Sequence, residues 1–413
     1  MKRNDGFYQA NFKKWRWRVL LVFGLLYFFY YAGRQNIALA IPLLKKEYSW
    51  TEADLGFVTS CLFWTYAFGH LLWGRLADKF GGRVLGTTGG LLSLFFNWVC
   101  SFARTVASLA FPWGMNGIAQ SMGWSPGISL VTHWWPREKR GFATGVLLST
   151  VGWATVAIWL MGGWVGEYWG WRGIFRIPPL FLGVASVVYF FTVKSYPHEV
   201  GLKDYVEEEK EEWEEITGIK PYLNVLKNVK FDLACLGVGT AHLTRYFFLT
   251  WIPLYYFETL GLSIIKTAAL SLYLPLGMAI GPLLSGWVTD KFFGAKRYQT
   301  ASGFLLAAAG VTIVIGVVPP GENVLGAILL LLVGLCVFAG ETPIWALCGD
   351  LVGKKQSGTA AGIMSWVAYM FAGLQGVLIG GILTLYPGSW KLLFILVAMV
   401  QLIGVRALWA VKR

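Results

Sequence analysis

The chain has 413 residues, of which 56% are hydrophobic and only 14% are charged. So few charges do not suit the surface of a soluble protein, and the composition indicates an all-α membrane protein with many spans. The net charge of +13 does not indicate a nucleic-acid partner, because Lys and Arg are concentrated in alternate loops between apolar runs.

Apolar runs long enough to cross a bilayer recur twelve times along the chain. A helix needs about 20 apolar residues to span the hydrocarbon core. No cleavable signal peptide is predicted, because the first apolar run is far longer than a signal sequence. The predicted helices, in chain order, cover residues 18–43, 54–76, 84–103, 107–134, 141–165, 173–193, 232–257, 264–288, 299–318, 323–350, 358–384 and 389–410.

The long polar stretch 194–230 has six predicted helices on either side of it. We therefore expect an N-terminal six-helix bundle over 1–193, a cytoplasmic linker over 194–230 and a C-terminal six-helix bundle over 231–413. Its acidic run, 207–215, is predicted to be a solvated helix or tether. The loops on the side of the N-terminus hold more Lys and Arg than the opposite loops, which predicts that both termini are cytoplasmic. The expected location is a prokaryotic inner (plasma) membrane.

Two arginines lie inside apolar helices with no carboxylate nearby in sequence. Arg34 is in the first predicted helix and Arg245 is in the seventh. At the bilayer centre an Arg costs about 2.5–3.5 kcal/mol on insertion scales, so such residues face a cavity or a partner. Together they predict an anion site.

The two halves of the chain repeat the same pattern. Asp78 follows Arg34 by 44 residues and Asp290 follows Arg245 by 45, and each Asp lies in a Gly-x-x-x-Asp-Lys-Phe segment. Arg34 and Arg245 are therefore predicted to be pseudo-equivalent. Parallel repeats with a substrate site between them near the midplane are one secondary-transporter architecture, in which rocking of the halves gives alternating access.

The segment 74–83 looks like the loop 2–3 motif of the major facilitator superfamily, and the chain resembles that superfamily over its full length. It implies two pseudo-symmetric six-helix bundles. It also implies a gate built from an acidic and basic cluster at the cytoplasmic side. The gating residues predicted from the motif and its repeat are Asp78, Arg75, Arg83, Asp290, Lys291 and Arg140.

Within the superfamily, three stretches are similar to the organophosphate:phosphate antiporter family. They are Tyr27–Asn36, Gln120–Trp135 and the run from Arg245 to Pro253. The resemblance implies that one arginine from each half grips the phosphate of an ester, and that tyrosines complete the pocket. The predicted substrate-binding residues are Arg34, Arg245, Tyr27, Tyr30, Tyr31, Tyr66, His70, Tyr246 and Tyr369.

Four positions depart from that family's pattern and remove positive or titratable groups. A histidine of the family pattern is Val151 here, two lysines of the pattern are Gln35 and His70, and an acidic residue is Leu274. The anion:cation symporter branch, which carries hexuronates and similar acids, also fits the segments 246–255 and 343–350. An organic carboxylate therefore stays open as the substrate beside a phosphate ester.

Glu341 lies between apolar runs in the tenth predicted helix. A buried carboxyl next to an arginine can exchange a proton during transport, so Glu341 is a proton-coupling candidate that pairs with Arg245 or His70. His242 is expected to pack or to lie at the interface.

Three functions stay open at this point: exchange of a phosphate ester for inorganic phosphate, proton-coupled symport of an organic carboxylate, and a transporter-like membrane sensor. None of them is an enzyme. No cofactor or metal site is predicted, and the five cysteines have no metal-ligand spacing. The expected partners are the small anion, phosphate or a proton as the coupling species, and membrane lipid around a monomer.

Overall fold

The computed structural model describes residues 2–203, 220–292, 296–319, 321–352 and 357–411, and these contain helices and no strand. The side chains at 2–9, 74–79, 125–126, 137–138, 141–142, 220–222, 290, 323, 348–349 and 357 lie outside the description, as does the acidic run 207–215. The helices are α1 (Lys2–Tyr30), the 3₁₀ turn η1 (Tyr31–Gly33), α2 (Ile37–Tyr48), α3 (Glu52–Cys100), α4 (Val106–Ser121), α5 (Trp124–Trp134), α6 (Arg137–Thr192), the 3₁₀ turn η2 (Pro197–Val200), α7 (Lys220–Leu226), α8 (Val229–Leu260), α9 (Ile264–Ser271), α10 (Tyr273–Phe292), α11 (Arg297–Val317), α12 (Asn323–Val352), α13 (Ser357–Leu385) and α14 (Trp390–Ala410).

Each of the twelve predicted spans coincides with helix, although the boundaries differ. The long helices α3 and α6 hold two spans each, because Gly81 (φ 77°) and Gly170 (φ 63°) interrupt their helical geometry. Glycine adopts positive φ without steric cost, so a helix can break there. Among the described residues, seven helical stretches are long and apolar enough to cross a membrane. The bundle boundaries at 193 and 231 stay predictions.

The helix ends define two ends of the molecule. The end that holds residues 80–82, 134–137, 192–203, 220–229 and 351–352 is called the linker end, and the end that holds residues 48–52, 258–264 and 384–390 is called the distal end. The contacts that tie each end together include Tyr189–Gly82 at the first and Ala53–Thr384 at the second. The positive-inside prediction makes the linker end cytoplasmic.

Helices α3 and α13 run antiparallel and meet closely toward the distal end. A Cβ added to Gly56 would lie 2.1 Å from the Gly376 carbonyl oxygen, and one added to Gly380 would lie 2.3 Å from the backbone carbonyl oxygen of Glu52. The Ser60 hydroxyl donates to the Gly373 carbonyl at 2.6 Å. Small residues allow such close backbone approach between membrane helices. The distal end is therefore sealed along these two helices.

An ion-pair cluster supports the same seal. The Lys45 ammonium on α2 lies 2.5 Å from Glu52 on α3, and it also contacts Glu258 on α8. One lysine thus joins three helices, two from the first half of the chain and one from the second.

We expect Lys45→Ala to open the distal end more often. A partly exposed ion pair contributes roughly 0.2–1 kcal/mol, which corresponds to about a 1.4- to fivefold rise in the open population. The measurement is the rate at which a membrane-impermeant thiol reagent labels Ala53→Cys in a protein without other cysteines. The exposed neighbour Lys46 supplies the control variant Lys46→Ala. Equal labelling rates in the two variants would show that Lys45 does not hold this end.

Candidate anion-binding site

Arg34 lies in a break of the first membrane helix, between η1 and α2. The break leaves helix carbonyls without their usual amide partners, and side-chain amides take their place. Asn97 from α3 and Asn116 from α4 both donate to the Gly33 carbonyl, at 3.1 and 2.8 Å. Any side chain on Gly33 would press on this network, because its Cβ would lie 2.5 Å from the Ser93 hydroxyl. The backbone that carries Arg34 is therefore fixed.

The guanidinium of Arg34 is buried and uncompensated. The residue is 2% exposed, and its Cζ lies 4.4 Å from the ring centroid of Tyr31 and 5.1 Å from that of Tyr66. Within the described residues, Nε and Nη1 have no hydrogen-bond partner, and no ion pair involves this arginine. Aromatic faces attract a cation but accept no conventional N–H bond. A buried donor without an acceptor is unfavourable, so this group is suited to an anionic ligand.

Arg245 on α8 differs from Arg34 because it has a carboxylate partner. Its Nη1 donates to Glu341 Oε1 at 3.1 Å and contacts Oε2 at 3.4 Å. The guanidinium also lies 4.3 Å from the ring centroid of Phe338 and 4.9 Å from that of Tyr246. Its Nε has no partner in the described part of the chain. The two arginines that the repeat predicts to be pseudo-equivalent are thus electrostatically unequal.

Three groups surround the Glu341 carboxylate. Besides Arg245, Trp345 Nε1 donates to Oε1 at 3.3 Å, and His242 Nδ1 lies 3.5 Å from the same oxygen. Of the two predicted partners, the carboxylate pairs with Arg245 and not with His70. His242, expected to pack or to lie at the interface, is instead buried beside this carboxylate. Sequence could not show this, because it depends on how α8 and α12 pack.

A cavity of ≈ 210 Å³ lies between the helices at this level. Of the predicted substrate-binding residues, those that line it are Tyr27, Tyr31, His70, Arg245 and Tyr369, and the proton-coupling candidate Glu341 lines it as well. Arg34 and Tyr66 lie one layer behind the lining. Arg34 is covered by Tyr31, and Tyr66 packs on Tyr369 with ring centroids 4.4 Å apart.

Tyr30 and Tyr246 lie outside the cavity lining. The Tyr30 hydroxyl donates to the Gly86 carbonyl at 2.7 Å, and the Cβ of any residue replacing Gly123 would lie 2.9 Å from its ring. Tyr30 therefore packs between α3 and α5. Tyr246 packs against Phe63, with centroids 4.3 Å apart, and its buried hydroxyl has no partner among the described residues. Tyr246 contacts the site through Arg245.

His70 packs on two tyrosines of the cavity. Its ring centroid lies 4.5 Å from that of Tyr66 and 5.6 Å from that of Tyr369. The His70 and Tyr369 rings are nearly parallel, with an interplanar angle of 12°. Position 70 thus contributes a ring to the cavity wall in place of the lysine that the antiporter pattern has.

The wall toward the linker end is largely apolar. It includes Trp124, Leu148, Val151, Pro282 and Trp345. Three small side chains with hydroxyl groups also line the cavity: Thr144 from α6, Thr342 from α12 and Ser365 from α13. The sequence carries no signal for these hydroxyl residues, because a lone Thr or Ser in a helix usually bonds to its own backbone. The cavity therefore combines one charged region with an aromatic and aliphatic wall.

Three of the predicted gating residues, Arg83, Arg140 and Lys291, have described side chains, and these lie apart from the cavity lining. Arg83 lies 3.6 Å from Glu199 of η2, and the Arg140 guanidinium donates to the last carbonyls of α5. The Lys291 ammonium lies 4.8 Å from the Trp287 ring centroid. The side chains of Arg75, Asp78 and Asp290 lie outside the described residues. Their gating role stays a prediction.

The helical fold and its central cavity define a membrane transporter. Residues 23–376 match the model of the Major Facilitator Superfamily, and the chain belongs to this superfamily. The predicted resemblance is confirmed at this level, and relatives confirm the likeness to organophosphate transporters.

Three relatives are similar over nearly the whole chain. A probable hexose phosphate transport protein of Chlamydia muridarum is 27% identical, over 90% of this chain and 86% of that protein. The membrane sensor protein UhpC of Salmonella typhimurium is 26% identical, over 97% and 91%. The probable sulfoacetate transporter SauU of Cupriavidus necator is 28% identical, over 96% and 93%.

One solved structure shows the same fold. It is a bacterial homolog of the human lysosomal transporter Spinster in an inward-facing and unoccupied conformation, with a TM-score of 0.78 at 16% identity. The match covers 96% of this chain and 95% of that one.

Proposed function

We propose that this protein carries a small organic anion across the membrane by alternating access, with the anion held between Arg34 and Arg245. The observation that carries the proposal is the buried Arg34 guanidinium, two of whose nitrogens lack acceptors in the described structure. An anion entering through the cavity past Tyr31 supplies those acceptors. The positive charge of Arg245 and the tyrosine hydroxyls then hold its other oxygens.

A phosphate ester is the substrate that we favour, exchanged for inorganic phosphate across a prokaryotic inner membrane. A guanidinium binds two phosphate oxygens at once, which a lysine does not. The aromatic wall with Trp124 and Trp345 suits the less polar face of a sugar ring. The probable hexose phosphate transport protein among the relatives supports this choice.

The closed distal end supports an alternating-access mechanism. The distal end is sealed by α3 against α13 and by the Lys45 cluster, whereas the cavity lining from α6, α10, α12 and α13 lies in the half toward the linker end. We assign this arrangement to the conformation that faces the cytoplasm. Rocking of the halves about the arginines then exposes the same site to the other side.

Exchange is tested in liposomes that contain the purified protein. Vesicles loaded with inorganic phosphate are expected to take up labelled glucose 6-phosphate without a proton gradient, and vesicles loaded with chloride are not. Uptake that is independent of internal phosphate contradicts exchange. Binding of glucose 6-phosphate without uptake favours a sensor, which is what one relative, UhpC, is named.

The second candidate is proton-coupled symport of an organic carboxylate. The observation that favours it is Glu341, a buried carboxyl placed between Arg245 and His242 where a proton could change its pairing. The relative named as a probable sulfoacetate transporter supports a carboxylate-bearing substrate. Glucuronate uptake that requires an inward proton gradient and is lost in Glu341→Gln identifies this function.

A further inference from the structure

We infer that Glu341 sets the charge of the anion that the site accepts. This inference rests on the proposed function, because it assumes that the anion binds at the arginine pair. In this role Glu341 is a built-in counter-anion for Arg245. A monoanion then binds by itself, and a dianion binds only together with one proton.

The charged side chains described around the cavity give the site itself a net charge of about +1. Arg34 and Arg245 are cationic, and Glu341 is the only carboxylate among the described lining residues. The other titratable groups that face this region are neutral at pH 7.5 in their ordinary forms. They are Tyr27 and Tyr31 from the first span, Tyr66 and His70 from α3, His242 and Tyr246 from α8 and Tyr369 from α13.

The Glu341 carboxylate is held in place and is not free to leave. Arg245 and Trp345 donate to it from α8 and α12, and His242 lies on its remaining side. Glu341 is 6% exposed, so water screens its charge little. An anion that approaches Arg245 therefore meets a fixed negative charge beside the positive one.

A charge balance follows for each class of ligand. A monoanion brings the site to neutrality, which a buried, low-dielectric site favours. A dianion leaves one excess negative charge next to Glu341. That excess is removed when Glu341 takes up one proton from water on binding, and the proton is released when the dianion leaves. Transport of a dianion is thereby linked to one proton through Glu341.

Two ligands of the same shape test the inference on the wild-type protein. Glucose 6-sulfate is a monoanion, whereas glucose 6-phosphate is a dianion above about pH 7. Binding of each is measured by isothermal titration in detergent between pH 7.5 and 9. We expect the affinity for the phosphate to fall about tenfold per pH unit, since one proton is taken up, and the affinity for the sulfate to stay constant. Constant affinity for both ligands overturns the inference.

Glu341→Gln keeps the shape of the side chain and removes its charge. We expect this variant to favour the phosphate over the sulfate by roughly tenfold more than the wild type does, and to bind the phosphate with no pH dependence. An unchanged preference overturns the inference. A pH dependence that persists assigns the proton to His242 or His70 and also overturns it. If the wild type binds neither ligand, the proposed substrate class fails instead, so the two failures are distinguishable.

Discussion

Arg34→Lys is expected to reduce the initial rate of glucose 6-phosphate uptake by about 100-fold or more while the protein stays folded. Lysine keeps the charge but replaces the guanidinium fork with a single ammonium. Two charge-assisted hydrogen bonds at roughly 1.5–3 kcal/mol each account for a loss of this size. The measurement is counterflow in phosphate-loaded liposomes, with the amount of folded protein set by gel filtration.

Arg172→Lys is the matched control for this substitution. Arg172 also binds oxygens with two nitrogens, donating to Glu47 at 2.8 Å and to the Tyr48 hydroxyl at 2.7 Å, but it lies at the distal end and is more exposed. We expect its uptake to stay within about twofold of the wild type, since an exposed pair contributes little. Uptake by Arg34→Lys close to that of this control would contradict the role given to Arg34.

Arg245→Ala is expected to lower the free energy of unfolding by about 3–5 kcal/mol, because it leaves the buried Glu341 carboxylate without its cation. Arg34→Ala is expected to leave stability unchanged or to raise it, because it removes a buried charge that has no described partner. Stability is measured in detergent by chemical or thermal denaturation. The two alanine variants should therefore differ in stability even though both arginines are proposed to bind the transported anion.

A double substitution separates charge from packing at Arg245. Adding Glu341→Gln to Arg245→Ala removes the unpaired charge, so we expect recovery of most of the lost stability. Equal destabilisation by Arg34→Ala and Arg245→Ala, or no recovery in the double variant, would contradict this explanation. It would show that the stability lost in Arg245→Ala does not come from leaving the Glu341 carboxylate unpaired.

Much of this architecture could be predicted from the sequence because the bilayer imposes simple rules. Apolar runs of sufficient length coincide with helix in the structure, and the repeat register predicted that Arg34 and Arg245 are equivalent positions in the two halves. Boundaries were harder to predict, because α3 and α6 continue through their loops and are interrupted at single glycines. Gly81 is such a position, where only the backbone angle marks the end of one span.

The chemistry around the two arginines was less predictable, because it depends on contacts between distant parts of the chain. Nothing near Arg34 in sequence shows that Asn97 and Asn116 hold its helix break open. Position 242 lies three residues before Arg245, yet its place beside Glu341 depends on the approach of α12. Tyr30 follows the family pattern, but its hydroxyl bonds to the backbone of α3. Motifs therefore predicted the region of the candidate site, and packing determined which side chains line the cavity.

The central claim is that an anion binds at the Arg34–Arg245 pair, and the most direct measurement is equilibrium binding of radiolabelled inorganic phosphate to the purified protein. We predict saturable binding that unlabelled glucose 6-phosphate displaces in the wild type and in Arg172→Lys, and loss of at least roughly 100-fold in affinity in Arg34→Lys. Binding of phosphate by Arg34→Lys with wild-type affinity would contradict the account.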